Sequence, residues 1–272
     1  MGNLVPMSDF PIDFRESAKA EELIDKLAST PRLFVISDFD GTLAHHSTDI
    51  YGVEVNHDSI DALGAFAQLP DTFAAALSGR HLDGLKQVFP LRDPVMLGGS
   101  HGAETEGEET PFDDNMQRFL ERVGGELEAI AADYEGVFVE SKPFHRGLHV
   151  KALAERNPQQ AEEALERGRA VDPGEYFLTE GKNIVEFSAT TATKGTWIDA
   201  ERQAVDATAV VFLGDDVTDE QGFDVLNQPT DLGVKVGAGA TAAYLRVADI
   251  DEVATFLQAL LTARQNFLAA RQ

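Results

Sequence analysis

The sequence predicts an α/β protein built on a parallel sheet, with an α+β segment inserted into it. Three observations carry that expectation. Short, continuously apolar runs each end in a glycine-rich or acidic turn, helical apolar patterns fall between them, and the middle of the chain pairs its extended segments locally instead. A run without polar alternation needs burial on both faces, so it belongs in a sheet covered by helices on either side. Strands alternating with helices form parallel sheets, and such sheets collect their ligands beyond the carboxyl ends of the strands.

Taken in order, residues 33–36 lead into SDFDGT, 73–77 into SGR, 95–97 into GGSHG, 210–213 into GDDVTDE and 232–236 into GAGAT. Every reactive-looking motif lies at the end of one of these runs, which argues for a single active site. The closing helix is expected to be capped by Asp251, with Val253, Phe256, Leu257, Leu260 and Leu261 on one apolar face. Between these parts, NMQRFLERVGGELEAIAADY and PQQAEEALERGRAV read as helices. GVFVES and GLHVKAL read as extended segments, and YFLTEGKNIVEF as a hairpin turning at Glu180-Gly181. The expected division is a core of residues 1–103 and 191–272, and an inserted domain of residues 104–190.

Composition narrows the chemistry. A chain of 272 residues can bury a full core with a smaller domain inserted. It has no cysteine, so disulfides, thiol nucleophiles and thiolate metal sites are excluded, and any metal must rest on oxygen or imidazole donors. The formal net charge of −25 argues against nucleic acid and anionic membranes as partners. That surplus fits a salt-adapted protein or an ordinary acidic one. The opening MGNLVPMSDF lacks a basic segment followed by an apolar one, and no apolar run is long enough to span a bilayer. A cytoplasmic monomer is the expectation.

Asp38 and Asp40 follow a buried run and stand one residue apart, so at a strand end their carboxylates point the same way. Like charges in that position call for a divalent cation, or for a division of nucleophile and acid roles. Gly41 and Thr42 complete a tight turn; an Asx-type turn with one helix cap accounts for DFDGT equally well. GDDVTDE places Asp215, Asp216, Asp219 and Glu220 after another strand, and hard oxygen donors favour magnesium. A solvated, capped turn is the alternative. Ser78 with Gly79 and Arg80 suits an anionic oxygen, although serine is also a common helix cap. Lys194 heads a helical pattern, where an exposed lysine is the ordinary finding.

The order of these motifs resembles the haloacid dehalogenase (HAD) superfamily: D-x-D-G-T, a strand-ending serine, a lysine, then G-D-D-x-x-D. The resemblance implies a Rossmann-like core and Mg²⁺-dependent phosphoryl transfer. It makes Asp38 the nucleophile and Asp40 the acid and base. Asp38, the Asp40 carbonyl and Asp215 become metal ligands, and Thr42, Ser78, Gly79 and Lys194 phosphoryl ligands. Asp216 and Asp219 are then supporting groups. The insert stands where this superfamily carries its C2-type cap.

Within the insert, VESKPFHRGLHVKAL holds Lys142, His145, Arg146, His149 and Lys151 without an acid between them, a local reversal of charge that suits an anion-facing surface. A solvated hairpin is the alternative. This segment resembles the E-x-K…H-Y-R pattern of trehalose-6-phosphate phosphatases through Glu140, Lys142 and His149, with Val150-Lys151 where Tyr-Arg is usual. GGSHGAE resembles that family's G-x-H-G-x-E turn, and Lys182 and Glu186 its G-K-x-x-x-E hairpin. The resemblance implies a small-molecule sugar phosphate as substrate, held by Arg80, His101, Glu140, Lys142, His149, Lys151, Lys182 and Glu186. It leaves open a sucrose-phosphate or glycosyl-phosphoglycerate phosphatase, a phosphomutase, or a non-catalytic sugar-phosphate-binding regulator.

Overall fold

The run LFVIS forms the middle of the sheet because every one of its residues is buried: β2 spans Leu33–Ser37. In the computed structural model of the chain, residues 11–15, 18–47, 49–181 and 183–271 are described. The opening segment read for a signal peptide and Lys182 lie outside them. The chain separates into two units, Met1–Gly107 with Thr193–Gln272, and Glu108–Ala192.

The first unit holds an eight-stranded sheet in the order β1-β12-β11-β10-β2-β3-β4-β5. Its strands are β1 (Ile12–Asp13), β2, β3 (Thr72–Leu77), β4 (Met96–Gly99), β5 (Glu104–Thr105), β10 (Ala209–Gly214), β11 (Leu232–Val236) and β12 (Leu245–Val247). All pairings are parallel except β4 with β5. Alternation along the buried strands sends side chains into two cores. Leu33, Val35, Val211 and Leu213 meet α1 (Ala18–Ala28), α2 (His57–Phe66) and α9 (Ile250–Ala269). Phe34, Ile36, Val210 and Phe212 meet α7 (Lys194–Ala204) and α8 (Val217–Asp224). Helices therefore cover both faces, as the unalternating runs require.

Two details differ from the sequence reading. Helix α9 is capped by Asp249, whose side chain accepts from the amides of Asp251 and Glu252; Asp251 itself sits in the first turn. The five apolar residues assigned to its buried face are buried. Residues Glu104 and Thr105 pair with β4, so they extend the first unit's sheet and the division falls after Gly107.

The second unit is a four-stranded antiparallel sheet, β6-β7-β9-β8, backed by helices. Its elements are α4 (Asp114–Ala131), β6 (Phe138–Ser141), β7 (His145–His149), α5 (Lys151–Arg156), α6 (Pro158–Arg169), β8 (Phe177–Gly181) and β9 (Ile184–Ser188). Leu148, Val185 and Phe187 pack with Phe119, Val123, Leu127 and Leu165 on the helix side. Glu140, Gly147 and Glu186 are cross-strand partners on the other side. The extended reading of GLHVKAL overruns: the strand stops at His149 and α5 begins at Lys151. The hairpin also turns later than expected, because Glu180 and Gly181 still pair with Val185 and Ile184. No helix among the described residues is long and apolar enough to cross a membrane.

Candidate active site

Parallel pairing brings the motifs of the first unit together. Leu213 is in register with Ser37, and Ser37 with Ala76, so Asp38, Ser78 and Asp215 leave three adjacent strands at the same, carboxyl-terminal end of the sheet. The Asp38 amide donates to the Leu213 carbonyl at 2.8 Å, which carries the β2–β10 ladder one residue beyond the strand.

Lys194 is the centre of the arrangement. Its side chain is 2 % exposed. Its Nζ lies 2.6 Å from Asp38 Oδ1 and 2.6 Å from Asp219 Oδ1. Thr193 caps α7 and places Lys194 at the helix start, as the sequence suggests, but fully buried where a solvated lysine was the alternative. Asp219 Oδ2 accepts from the Asp216 amide at 2.9 Å, while the Asp216 side chain caps α8. Asp216 is thus a helix cap and Asp219 the anchor of Lys194. Burial pushes the Asp38 carboxyl well above the usual carboxylate range; Lys194 opposes this, and Asp219 and Asp215 reinforce it. Burial works against the Lys194 ammonium too, but Asp219 and Asp38 outweigh it and hold its pKa above the ordinary lysine value.

Asp40 faces a different partner. Arg80 Nε donates to Asp40 Oδ2 at 2.6 Å and Nη2 to Oδ1 at 2.7 Å, a two-pronged pair, and Nη1 donates to the Ile50 carbonyl. The structure thus commits the Arg80 guanidinium to Asp40. Gly41 is needed between them and Asp215: its φ is +84°, and a Cβ there would stand 2.4 Å from Asp215 Oδ2. The Thr42 hydroxyl is buried and has no hydrogen-bond partner among the described residues. Ser78 is buried and accepts from the Arg80 amide at 3.1 Å; the helix that follows, α3 (Leu82–Val88), is capped by His81. The GGSHG turn is laced to this one, with the His101 amide donating to the Ser78 carbonyl at 3.0 Å. Gly79 lets His101 approach, since a Cβ would lie 2.5 Å from the imidazole.

The carboxylates of Asp38, Asp215 and Asp219 each offer an oxygen within 4.8 Å of the others. Asp215 Oδ1 is buried without a hydrogen-bond partner among the described residues. An all-oxygen donor set with an unsatisfied buried oxygen fits a hard divalent cation.

In the second unit, Lys142 Nζ is 3.4 Å from both Glu140 Oε2 and Glu186 Oε2, and His149 Nε2 is 3.0 Å from Glu140 Oε2. Four of the expected substrate-binding residues therefore form one network on the open side of the sheet. The His149 hydrogen bond, followed by Lys142, holds the Glu140 carboxyl down at about 2 despite its partial burial. Lys151 is exposed at the start of α5, apart from this network's hydrogen bonds.

Sequence reasoning passed over three residues. Lys235 is buried in β11 and donates to the Asp215 carbonyl; a lysine inside an otherwise apolar buried strand is the signal that points to it. Phe138 is 56 % exposed and stacks on His149 with rings 4.8 Å apart and 2° from parallel. His46, to which nothing was assigned, lies 3.0 Å from Asp215 Oδ2.

The family model described as Trehalose-phosphatase matches residues 36–249. The chain is 33 % identical over 259 residues to the trehalose-6-phosphate phosphatase of Escherichia coli (strain K12), covering 90 % of this chain and 94 % of that protein. It is 29 % identical over 254 residues to the bifunctional trehalose-6-phosphate synthase/phosphatase of Thermoproteus tenax, covering 91 % of this chain and 34 % of that protein. In fold it is similar to the C-terminal domain of C. albicans trehalose-6-phosphate phosphatase, with TM-score 0.72 and 19 % identity over 89 % of this chain and 96 % of that one. With that family model covering both motif-bearing ends and the insert between them, the chain belongs to the trehalose-phosphatase family of phosphoric monoester hydrolases.

Proposed function

We propose that this chain hydrolyses trehalose 6-phosphate to trehalose and phosphate, with Asp38 as nucleophile. The observation that carries the assignment is Lys194 bridging Asp38 and Asp219 at 2.6 Å each. A binding protein has no need of a buried, ammonium-held carboxylate at the reaction centre.

The Asp38 carboxylate attacks phosphorus, forming an aspartyl phosphate as the bond to the sugar oxygen breaks. Both Asp40 oxygens accept from Arg80, so Asp40 exchanges one of these contacts for a proton and gives that proton to the departing oxygen, the other contact keeping it aligned. Asp40 then takes a proton from water as the water oxygen attacks phosphorus, releasing phosphate and restoring Asp38. Lys194 and the hydroxyls of Thr42 and Ser78 receive the phosphoryl oxygens, with Gly79 allowing close approach; the unpartnered Thr42 hydroxyl supports its part in this. Asp38, the Asp40 carbonyl and Asp215 would hold Mg²⁺, which would supply charge neutralisation for the phosphoryl transfer.

The second unit reads the sugar, in the role of a specificity cap. Glu140, Lys142, His149 and Glu186 offer hydrogen-bonding groups for hydroxyls, and the exposed Phe138 ring offers an apolar surface beside them. Phosphate release from a panel of sugar phosphates, with Mg²⁺ and after chelation, tests the assignment. Preference for trehalose 6-phosphate and loss on chelation are expected. Preference for sucrose phosphate or a glycosyl phosphoglycerate, phosphate returned to the sugar, or binding without release would each replace it.

A further inference from the structure

The two oxygens of the Asp215 carboxylate sit in unlike settings. Oδ1 is buried with no hydrogen-bond partner among the described residues, whereas Oδ2 meets His46 Nε2 at 3.0 Å. Among the described residues, no other side chain or amide is hydrogen-bonded to an Asp215 carboxylate oxygen. Lys235 holds the Asp215 backbone carbonyl, and Gly41, without a side chain, lies beside the carboxylate and offers it no hydrogen bond. The His46 ring is 71 % exposed, yet the chain carrying it is anchored: Ala44 bridges both Asp40 and Val55, and the His45 amide donates to the Glu54 carbonyl at 2.9 Å.

We propose that His46 is a positioning residue for cation binding, donating from Nε2 to Asp215 Oδ2 and so leaving Oδ1 directed to the cation. With Asp215 read as a cation ligand, this hydrogen bond does what the outer partners of ligating groups do elsewhere. It restricts rotation of the carboxylate and keeps one oxygen from turning to water, which is worth about 10- to 100-fold in metal affinity. An exposed donor belongs at the lower end of that range, since water competes for the same oxygen.

The test is Mn²⁺ binding to the full chain without substrate, followed by the electron paramagnetic resonance signal of free Mn²⁺. Mn²⁺ serves as the probe because it accepts the same oxygen donors. His46→Ala should raise Kd about tenfold. His46→Gln, which carries an amide N–H at similar reach, should recover most of the loss. Melting temperature without metal should be the same for all three proteins, which separates positioning from folding. Unchanged affinity in His46→Ala overturns the proposal. Tighter binding in that variant also overturns it, because the ring would then be standing in the cation's place. Failure of the unmutated chain to bind Mn²⁺ overturns the cation site itself, and the role of His46 with it.

Discussion

Lys194 and Asp38 are 156 residues apart in sequence, and their side chains meet at 2.6 Å inside the first unit. Both are buried, so removing Lys194 takes the ammonium from two buried carboxylates at once, Asp38 and Asp219. Lys194→Ala should therefore destabilise the protein by about 3–5 kcal/mol in addition to removing activity. Denaturant unfolding measures this, and a variant of unchanged stability would show that Asp38 and Asp219 are neutral or solvated without it.

The pairing of Arg80 with Asp40 gives a leaving-group test. Arg80→Ala should slow hydrolysis of trehalose 6-phosphate by about a hundredfold, as Asp40 loses its alignment for proton transfer. Nitrophenyl phosphate, whose leaving group needs no proton, should lose far less. Equal losses on both substrates would place Arg80 at the phosphoryl group instead.

Glu140 supplies a pH dependence with a definite sign. Its folded pKa is about 2, below the ordinary 4.5, chiefly through the His149 hydrogen bond. The stability it contributes is present above about 4.5 and is lost as pH falls toward 2. Glu140→Gln should be less stable than the unmutated protein near neutral pH, with the gap closing across that window. A gap that stays constant into acid would remove the charge from the explanation.

The same network should govern specificity. Glu140→Ala, Lys142→Ala or Phe138→Ala should lower kcat/KM for trehalose 6-phosphate by roughly 10- to 1000-fold while sparing a small aryl phosphate. An equal effect on both substrates would mean these residues serve the fold.

A net charge of −25 implies self-repulsion that salt screens. Melting temperature should rise between low and molar salt. A flat response would leave salt adaptation unsupported.

The sheet was legible because β2, β10 and β11 are apolar at nearly every position, which only two-sided burial explains. Asp38 and Asp215 were legible as acids that follow buried strands, and Lys194 as the start of a helix, because their order survives in one dimension. What stayed hidden depends on partners far away in sequence. No local pattern shows that Arg80 would reach Asp40, or that His46 would reach Asp215 across a span of 169 residues. The cap of α9 was misplaced by two residues because Asp249 and Asp251 both suit it by type, and only backbone geometry separates them. The short α5 escaped because its KALAER follows a β-strand without a capping side chain.

The most direct measurement of the central claim is an acid quench during turnover of trehalose 6-phosphate carrying labelled phosphate. The label should remain on precipitated protein, be released by hydroxylamine as an acyl phosphate is, and map to the peptide containing Asp38. Asp38→Asn should neither retain label nor turn over. Label on another residue, or near-normal phosphate release by Asp38→Asn, would contradict the assignment of Asp38 as nucleophile.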